Sequence, residues 1–187
     1  DSTIFYVTTQ QGVMVRIDYD TSYDSYTDTR IMDQNTGGSD VTWSISVVID
    51  REDHNTLFTN FVDIWKTEDR GANWTNLTNG SLGNGTAPIT FIMQSNSNPD
   101  VMYCQYDLNG RQFMRSSDRG VTWTTRVSPG YMDGYERLVI HPDNENTLWY
   151  GMSGVLKKST DGGTTWTNIS GNFPTGLQIN TIEYQEG

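Results

Sequence analysis

The sequence predicts an all-β protein assembled from repeated four-stranded antiparallel units, and three observations carry that prediction. Composition is the first: Thr, Tyr, Trp, Val and Ile are plentiful and helix-forming runs are absent, which is strand chemistry. A recurring octad is the second. It reads Thr67-Glu68-Asp69-Arg70-Gly71-Ala72-Asn73-Trp74, then Ser116-Ser117-Asp118-Arg119-Gly120-Val121-Thr122-Trp123, then Ser159-Thr160-Asp161-Gly162-Gly163-Thr164-Thr165-Trp166. Its spacing is the third: Trp74, Trp123 and Trp166 stand 49 and 43 residues apart, close to the roughly 40–50 residues of a four-stranded repeat.

Strands within each repeat are labelled A to D, from the innermost outwards. The first repeat, about residues 1–33, opens with Thr3 to Val7 as a B strand, followed by Gly12 to Arg16 as C and Thr29 to Met32 as D. Its octad is worn away, and Asp18 to Asp24 stands in that place. The second repeat, about 41–78, has Ser44 to Ile49, Thr56 to Thr59, Asp63 to Lys66 and Trp74 to Leu77 as its four strands. The third, about 88–127, has Ile89 to Gln94, Val101 to Gln105, Gln112 to Arg115 and Trp123 to Val127. The fourth, about 135–170, has Arg137 to His141, Thr147 to Gly151, Val155 to Lys158 and Trp166 to Ile169. Polar A-to-B turns stay in register too, with Asp50 to Thr56 matching His141 to Thr147. Residues 179–184 read as one more A strand, which is expected to complete the first repeat. Closure of the chain on itself as four blades fits this strand count, and so does one segment of a larger ring completed by a second chain or by further sequence.

Each octad position has a physical job in a tight hairpin. The Asp carboxylate accepts backbone N–H bonds from its own turn, the Gly supplies a positive φ, and the Trp lays apolar surface over the hairpin. The structural set is therefore Thr67, Asp69, Gly71 and Trp74; Ser116, Asp118, Gly120 and Trp123; and Ser159, Asp161, Gly163 and Trp166.

These octads resemble the Asp-box, or bacterial neuraminidase repeat, of sialidases, xyloglucanases, sortilin-type receptors and secreted bacterial surface proteins. The resemblance covers nearly the whole chain. It implies a β-propeller in which the box joins the two outer strands of a blade, remote from the ligand face, and an extracellular or cell-surface location. The same box serves hydrolases, receptors and lectins, so it implies architecture sharply and activity poorly. Sialidase activity fits badly, because Arg30-Ile31 is followed by Met32 where that family carries Arg-Ile-Pro.

Composition narrows the function further. The chain has 187 residues and a net charge of −11, with nothing basic clustered enough to hold a phosphate backbone, so no nucleic-acid partner is expected. No stretch is long and apolar enough to insert in a membrane. Cys104 is the single cysteine, which leaves no disulfide framework and suits a small buried apolar residue. His54 and His141 fall in equivalent turns of different repeats, so no shared metal or histidine triad is expected. No cofactor is expected; Asp18, Asp20 and Asp24 offer oxygen ligands at alternate positions, a weak calcium candidate without an EF-hand pattern.

In this arrangement the B-to-C and D-to-A loops share the end opposite the boxes. Trp43, Phe61, Tyr106, Tyr131 and Tyr135 fall there as ligand-binding candidates, suited to stacking on sugar or peptide. Asp63, Asp107 and Asp133 fall there as well, and a glycoside hydrolase needs two carboxylates across a cleft. Two functions follow: a non-catalytic binding, adhesion or structural module recognising glycan or protein, and a xyloglucanase-like hydrolase or a segment of one.

Overall fold

The computed structural model describes residues 2–9, 12–33, 45–108, 110–130, 137–152, 154–174, 179 and 181–185. Among these residues fifteen strands form four antiparallel sheets, each a simple meander. The first sheet runs β1 (Ser2–Thr8), β2 (Met14–Asp20), β3 (Ser25–Met32). The second runs β4 (Val47–Ile49), β5 (Leu57–Asn60), β6 (Ile64–Thr67), β7 (Thr75–Asn76). β8 (Ile89–Gln94), β9 (Met102–Tyr106), β10 (Gln112–Ser116) and β11 (Thr124–Arg126) make the third. β12 (Arg137–His141), β13 (Asn144–Met152), β14 (Val155–Ser159) and β15 (Thr167–Asn168) make the fourth. By compactness the chain divides into Asp1–Met93 with Cys104–Asp107, and Gln94–Tyr103 with Leu108–Gly187.

In the first unit the core gathers where strands present alternate apolar residues. Met14, Met32, Ile45 and Phe61 are buried together, with Ile31, Val47, Trp65 and Trp74 packed against them. All four residues of β5 are buried, including Thr59 and Asn60. These polar side chains are satisfied internally, as buried ones must be. Thr59 Oγ1 donates to Ser46 O at 2.8 Å, and Asn60 Nδ2 donates to Ile89 O at 2.7 Å while its Oδ1 accepts the Ser46 amide at 2.9 Å. The outer strand β3 is exposed from Ser25 to Arg30, and its charged side chains discourage further edge pairing.

Three expectations change. The strands around the worn first octad run further than 12–16 and 29–32: β2 continues to Asp20 and pairs there with Ser25, where β3 already begins, and the chain turns back through residues 21–24. β13 begins at Asn144 rather than Thr147, because His141 pairs with Asn144 across the short Pro142-Asp143 turn. The strand expected to complete the first repeat over 179–184 is not present among the described residues, where 179 and 181–185 carry no strand and the first sheet has three. Those residues pack instead on the fourth sheet. Tyr184 lies with its ring 5.3 Å from Trp149 and 4.7 Å from His141, and a Cβ added to Gly151 would come within 2.5 Å of Ile182 and 2.9 Å of Ile179.

Gly71 shows how tightly one sheet approaches the next. Its φ is +95°, and an added Cβ would stand 2.6 Å from Ile31 Cδ1 and 2.8 Å from Ile31 Cβ on β3. Gly110 has nearly the same φ, +96°, with nothing within 4 Å. Gly110→Ala should therefore cost only the backbone strain, about 1 kcal/mol, whereas Gly71→Ala adds the collision and should cost about 3 kcal/mol. Urea denaturation of both variants measures the difference, and equal costs would mean the sheets are not held this close.

Candidate functional site

The three octads fold into the same hydrogen-bonded knot, built on the first residue. Thr67, Ser116 and Ser159 are 2%, 0% and 2% exposed. Each hydroxyl donates to the first Asp oxygen, at 2.7, 2.8 and 2.8 Å. The same hydroxyls accept the amide of the Gly four residues on, at 3.0, 2.9 and 2.9 Å. The residue just before the Trp completes the knot: its amide reaches the first Asp oxygen at 2.8, 2.8 and 2.9 Å. Its side chain reaches the second, from Asn73 at 2.7 Å, Thr122 at 2.5 Å and Thr165 at 2.6 Å. Sequence reasoning missed this seventh position. The signal was there, since all three residues carry a short hydrogen-bond donor.

Two consecutive residues of each box take a left-handed backbone: Arg70 and Gly71, Arg119 and Gly120, Gly162 and Gly163. This turns the fourth residue's amide toward the A-to-B turn of the same sheet. Arg70, Arg119 and Gly162 donate to Asn55 O, Asp100 O and Asn146 O, each at 2.9 Å. Those acceptors are themselves held by Asx turns, with Asp53, Asn98 and Asn144 side chains accepting the amides two residues on. The box and the A-to-B turn thus share one end of the blade. Trp74 Nε1 donates to Ile31 O at 2.8 Å on β3 of the preceding sheet, and Trp166 Nε1 to Val127 O at 2.9 Å, just past β11. Trp123 Nε1 donates within its own box, to Gly120 O.

The carboxylates respond as acceptors of several hydrogen bonds do. Asp69 is lowered to about 2, first by the Thr67 hydroxyl and then by the amide and side chain of Asn73. Asp161 is lowered to about 2, first by the Thr165 hydroxyl and amide. For Asp118 burial is the largest single influence and pushes upward, but the Thr122 and Ser116 bonds together outweigh it. All three are engaged in the turn rather than aimed at a ligand.

The opposite end is built differently. Phe61 amide bonds to Asp63 O at 2.9 Å to close the β5–β6 turn, and Ile89 amide returns to Phe61 O at 2.7 Å. Asp107 amide bonds to Pro88 O at 3.1 Å, so B-to-C and D-to-A loops meet here. Asp63 is buried with both oxygens occupied: Thr78 Oγ1 at 2.6 Å and the Gly80 amide at 2.8 Å on one, Asn76 Nδ2 at 2.9 Å on the other. Its work is to pin the loop over 76–80, which removes it as a ready acid or nucleophile. Phe61 is also corrected: at 0% exposure it is core and offers no stacking face. Tyr106 is half-buried against Gly83, and burial raises its phenol while the Gly83 amide opposes that rise. Asp107 is exposed beside it. Trp43, Tyr131, Asp133 and Tyr135 lie outside the described residues.

The remaining candidates are spoken for locally. Asp18 takes Arg16 Nε at 2.8 Å, Asp20 caps the Ser22 amide at 2.8 Å, and Asp24 accepts the Tyr19 hydroxyl. Among the described residues no group of three His, Cys, Asp or Glu side chains could hold a metal ion. His141 accepts the Asp143 amide through Nδ1 at 3.0 Å and meets Tyr184 Oη through Nε2 at 3.1 Å. Cys104 is buried, and burial pushes its thiol well above the usual range. No described helix is long and apolar enough to cross a membrane.

Comparison with known proteins follows the same lines. Residues 62–178 match the family described as Sortilin-Vps10, "Sortilin, neurotensin receptor 3". A xyloglucanase from Hypocrea jecorina is 39% identical over 83 residues, covering 40% of this chain and 10% of that enzyme. One from Paenibacillus is 37% identical over 78 residues, 37% of this chain and 8% of that enzyme. The chain therefore spans about a tenth of these curated relatives. Among solved structures, an ancestral GH74 enzyme superposes with a TM-score of 0.57 at 16% identity, over 87% of this chain and 23% of that one. The GH74 xyloglucanase from Xanthomonas campestris gives 0.51 at 12% identity, over 90% and 36%.

The box knot yields two expected outcomes. Ser159→Ala strips the buried Gly163 amide of its acceptor and should destabilise the protein by about 1–3 kcal/mol, read by urea denaturation. A ligand-contacting role would instead leave stability unchanged. Folding lowers Asp69 and Asp161 to about 2. Their ordinary unfolded value is about 3.9, so their stabilisation is complete above about pH 5 and lost as pH falls toward 2. The Tm should drop through that window, and Asp69→Asn with Asp161→Asn should start lower and flatten the drop.

Proposed function

Because the chain belongs to the Sortilin-Vps10 family, we propose that it works as a non-catalytic glycan-recognising propeller module, facing its sugar with the loops opposite the boxes. The observation that carries this reading is the state of Asp63. A carboxylate with Thr78, Gly80 and Asn76 on its two oxygens holds a binding loop in place. General acid or nucleophilic work would require it to give up those bonds as charge moved. Tyr106, against Gly83, and Asp107, bonded through its amide to Pro88 O, lie against the same β7–β8 connection beyond that loop and supply the aromatic and polar groups that sugar recognition uses. Kinship to xyloglucanases makes a β-glucan of the xyloglucan type the first ligand to test. An extracellular setting is part of the proposal, as is the absence of a required cofactor.

A second reading is favoured by the same kinship: a blade segment of a larger glycoside hydrolase, contributing scaffold and one wall of its cleft. A further chain or further sequence would complete the ring.

Xyloglucan oligosaccharide binding, measured by calorimetry beside reducing-sugar release, separates the two. The module should bind without releasing reducing ends. Asp107→Asn should weaken binding severalfold at unchanged stability, whereas Asp63→Asn should lower stability and binding together. Turnover by the chain, abolished by either substitution, would overturn the non-catalytic reading.

A further inference from the structure

The first unit carries a concavity at the box end, away from the loops just described. It is a cleft of about 520 Å³ between β1 and the turn joining β4 to β5, within the usual size of small-ligand sites. Ile4 and Ile49 give it aliphatic surface, Tyr6 an aromatic one, and Arg51, His54 and Arg70 give it donors. Asp50 is the one acid among the described lining residues, and its Oδ1 is already taken by the Glu52 and Asp53 amides at 2.9 and 3.0 Å. Two of the twelve Lys and Arg residues thus share one cleft on a chain of net charge −11.

Arg70 is fixed rather than loose. Its amide bonds to Asn55 O at 2.9 Å and its Nε to Asn55 Oδ1 at 2.7 Å. Arg16 braces it from β2, donating Nη1 to Arg70 O at 3.3 Å while its own Nε pairs with Asp18. With Nε spent on Asn55, the two Nη groups of Arg70 carry no bond among the described residues. The Tyr6 hydroxyl and the His54 ring carry none either. Tyr6 also lies near enough to Arg16 and Arg70 to feel both charges, with the Asp18 carboxylate acting against them. Arg70, held by Asn55, shares this cleft with Arg51, His54 and Tyr6 beside apolar surface, so its grip on an anion has less side-chain freedom to lose on binding.

We propose that this cleft binds an organic carboxylate, gripped by the Nη groups of Arg70, with Arg51 adding positive charge and Tyr6 and His54 lining the cage. A singly charged carboxylate suits it better than a phosphate, because the surrounding field of a chain at −11 repels a ligand in proportion to its charge. Two sources share that chemistry, a uronic acid on a glycan and the free C-terminus of a peptide. The Ile4 and Ile49 surface beside the Tyr6 ring accepts a pyranose face, which favours the uronate.

The test titrates the isotopically labelled chain with glucuronate and with its methyl ester, following backbone amide shifts. A parallel arm compares an acetylated dipeptide bearing a free C-terminus with its amide. Glucuronate should shift the amides of Asn55 and Arg70, weaken as salt is raised, and lose about tenfold or more in affinity on esterification. Arg70→Gly should lose about as much without unfolding, because Gly162 fills that place in the third box and keeps the turn amide bonded to Asn146. Arg51→Gln should lose affinity as well. Binding by the free-carboxylate peptide and not by glucuronate keeps the site and reassigns its source. Equal affinity for acid and ester, wild-type affinity in Arg70→Gly, or no shift with either acid would overturn the proposal. None of these outcomes depends on neutral glucan binding at the opposite end.

Discussion

The structure depends on one small arrangement, a buried hydroxyl facing an ionised carboxylate through its own turn. Thr67, Ser116 and Ser159 each sit at the end of a C strand with almost no exposure, and each must find both a donor and acceptors inside the protein. The Asp two residues on takes the hydroxyl proton, and the Gly four residues on gives its amide in return. Leaving that amide without an acceptor would cost about 1–3 kcal/mol, comparable to a sizeable share of a domain's net stability. The left-handed pair at the fourth and fifth positions is the geometry that lets both bonds close. Without the knot, an Arg at positive φ would have no reason to stay there.

From that knot the blade is wired outward. The fourth-position amide reaches the A-to-B turn, tying the outer hairpin to the inner one across the sheet edge. The fifth-position Gly leaves no Cβ, so Ile31 can close on Gly71 and Phe113 on Gly163. Trp74 then donates Nε1 to Ile31 O on β3 and Trp166 to Val127 O just past β11, while Trp123 bonds inside its own box. Polar bonds at the rim and apolar packing beneath it therefore select the same spacing between sheets.

Much of this was legible in the sequence, for a physical reason. A hairpin that needs a hydroxyl, a carboxylate, a Gly and an aromatic at fixed offsets admits few substitutions, so it shows itself as a repeat. Strand placement followed from the boxes, and the errors were at ends: β13 starting at Asn144, β2 running on to Asp20, and no strand among the described residues of 179–184. The seventh box position hid because Asn and Thr both do its work. The loop end was less legible. Burial of Phe61 beneath its turn and the capture of Asp63 by Thr78, Gly80 and Asn76 depend on how a loop folds back, which no local pattern records. Nor did spacing reveal the cleft beside Arg70, which joins β1 to a turn almost fifty residues later in the chain.

The two ends of a blade are under different constraints, and this explains why kinship fixes the fold before the function. At the box end the same bonds recur in every complete octad, so any relative with the knot keeps the blade. Superposition on a GH74 enzyme at 16% identity needs little more than this. At the loop end the repeats diverge. Thr78 and Ser170 hold equivalent places, each hydroxyl accepting the amide of Ile64 or Leu156, yet the residue ahead of that amide is Asp63 in one sheet and Val155 in the other. The strand is closed the same way in both, and only the second sheet adds a carboxylate to brace a loop. Specificity can change there without disturbing the blade, because the bonds that build the blade are made elsewhere.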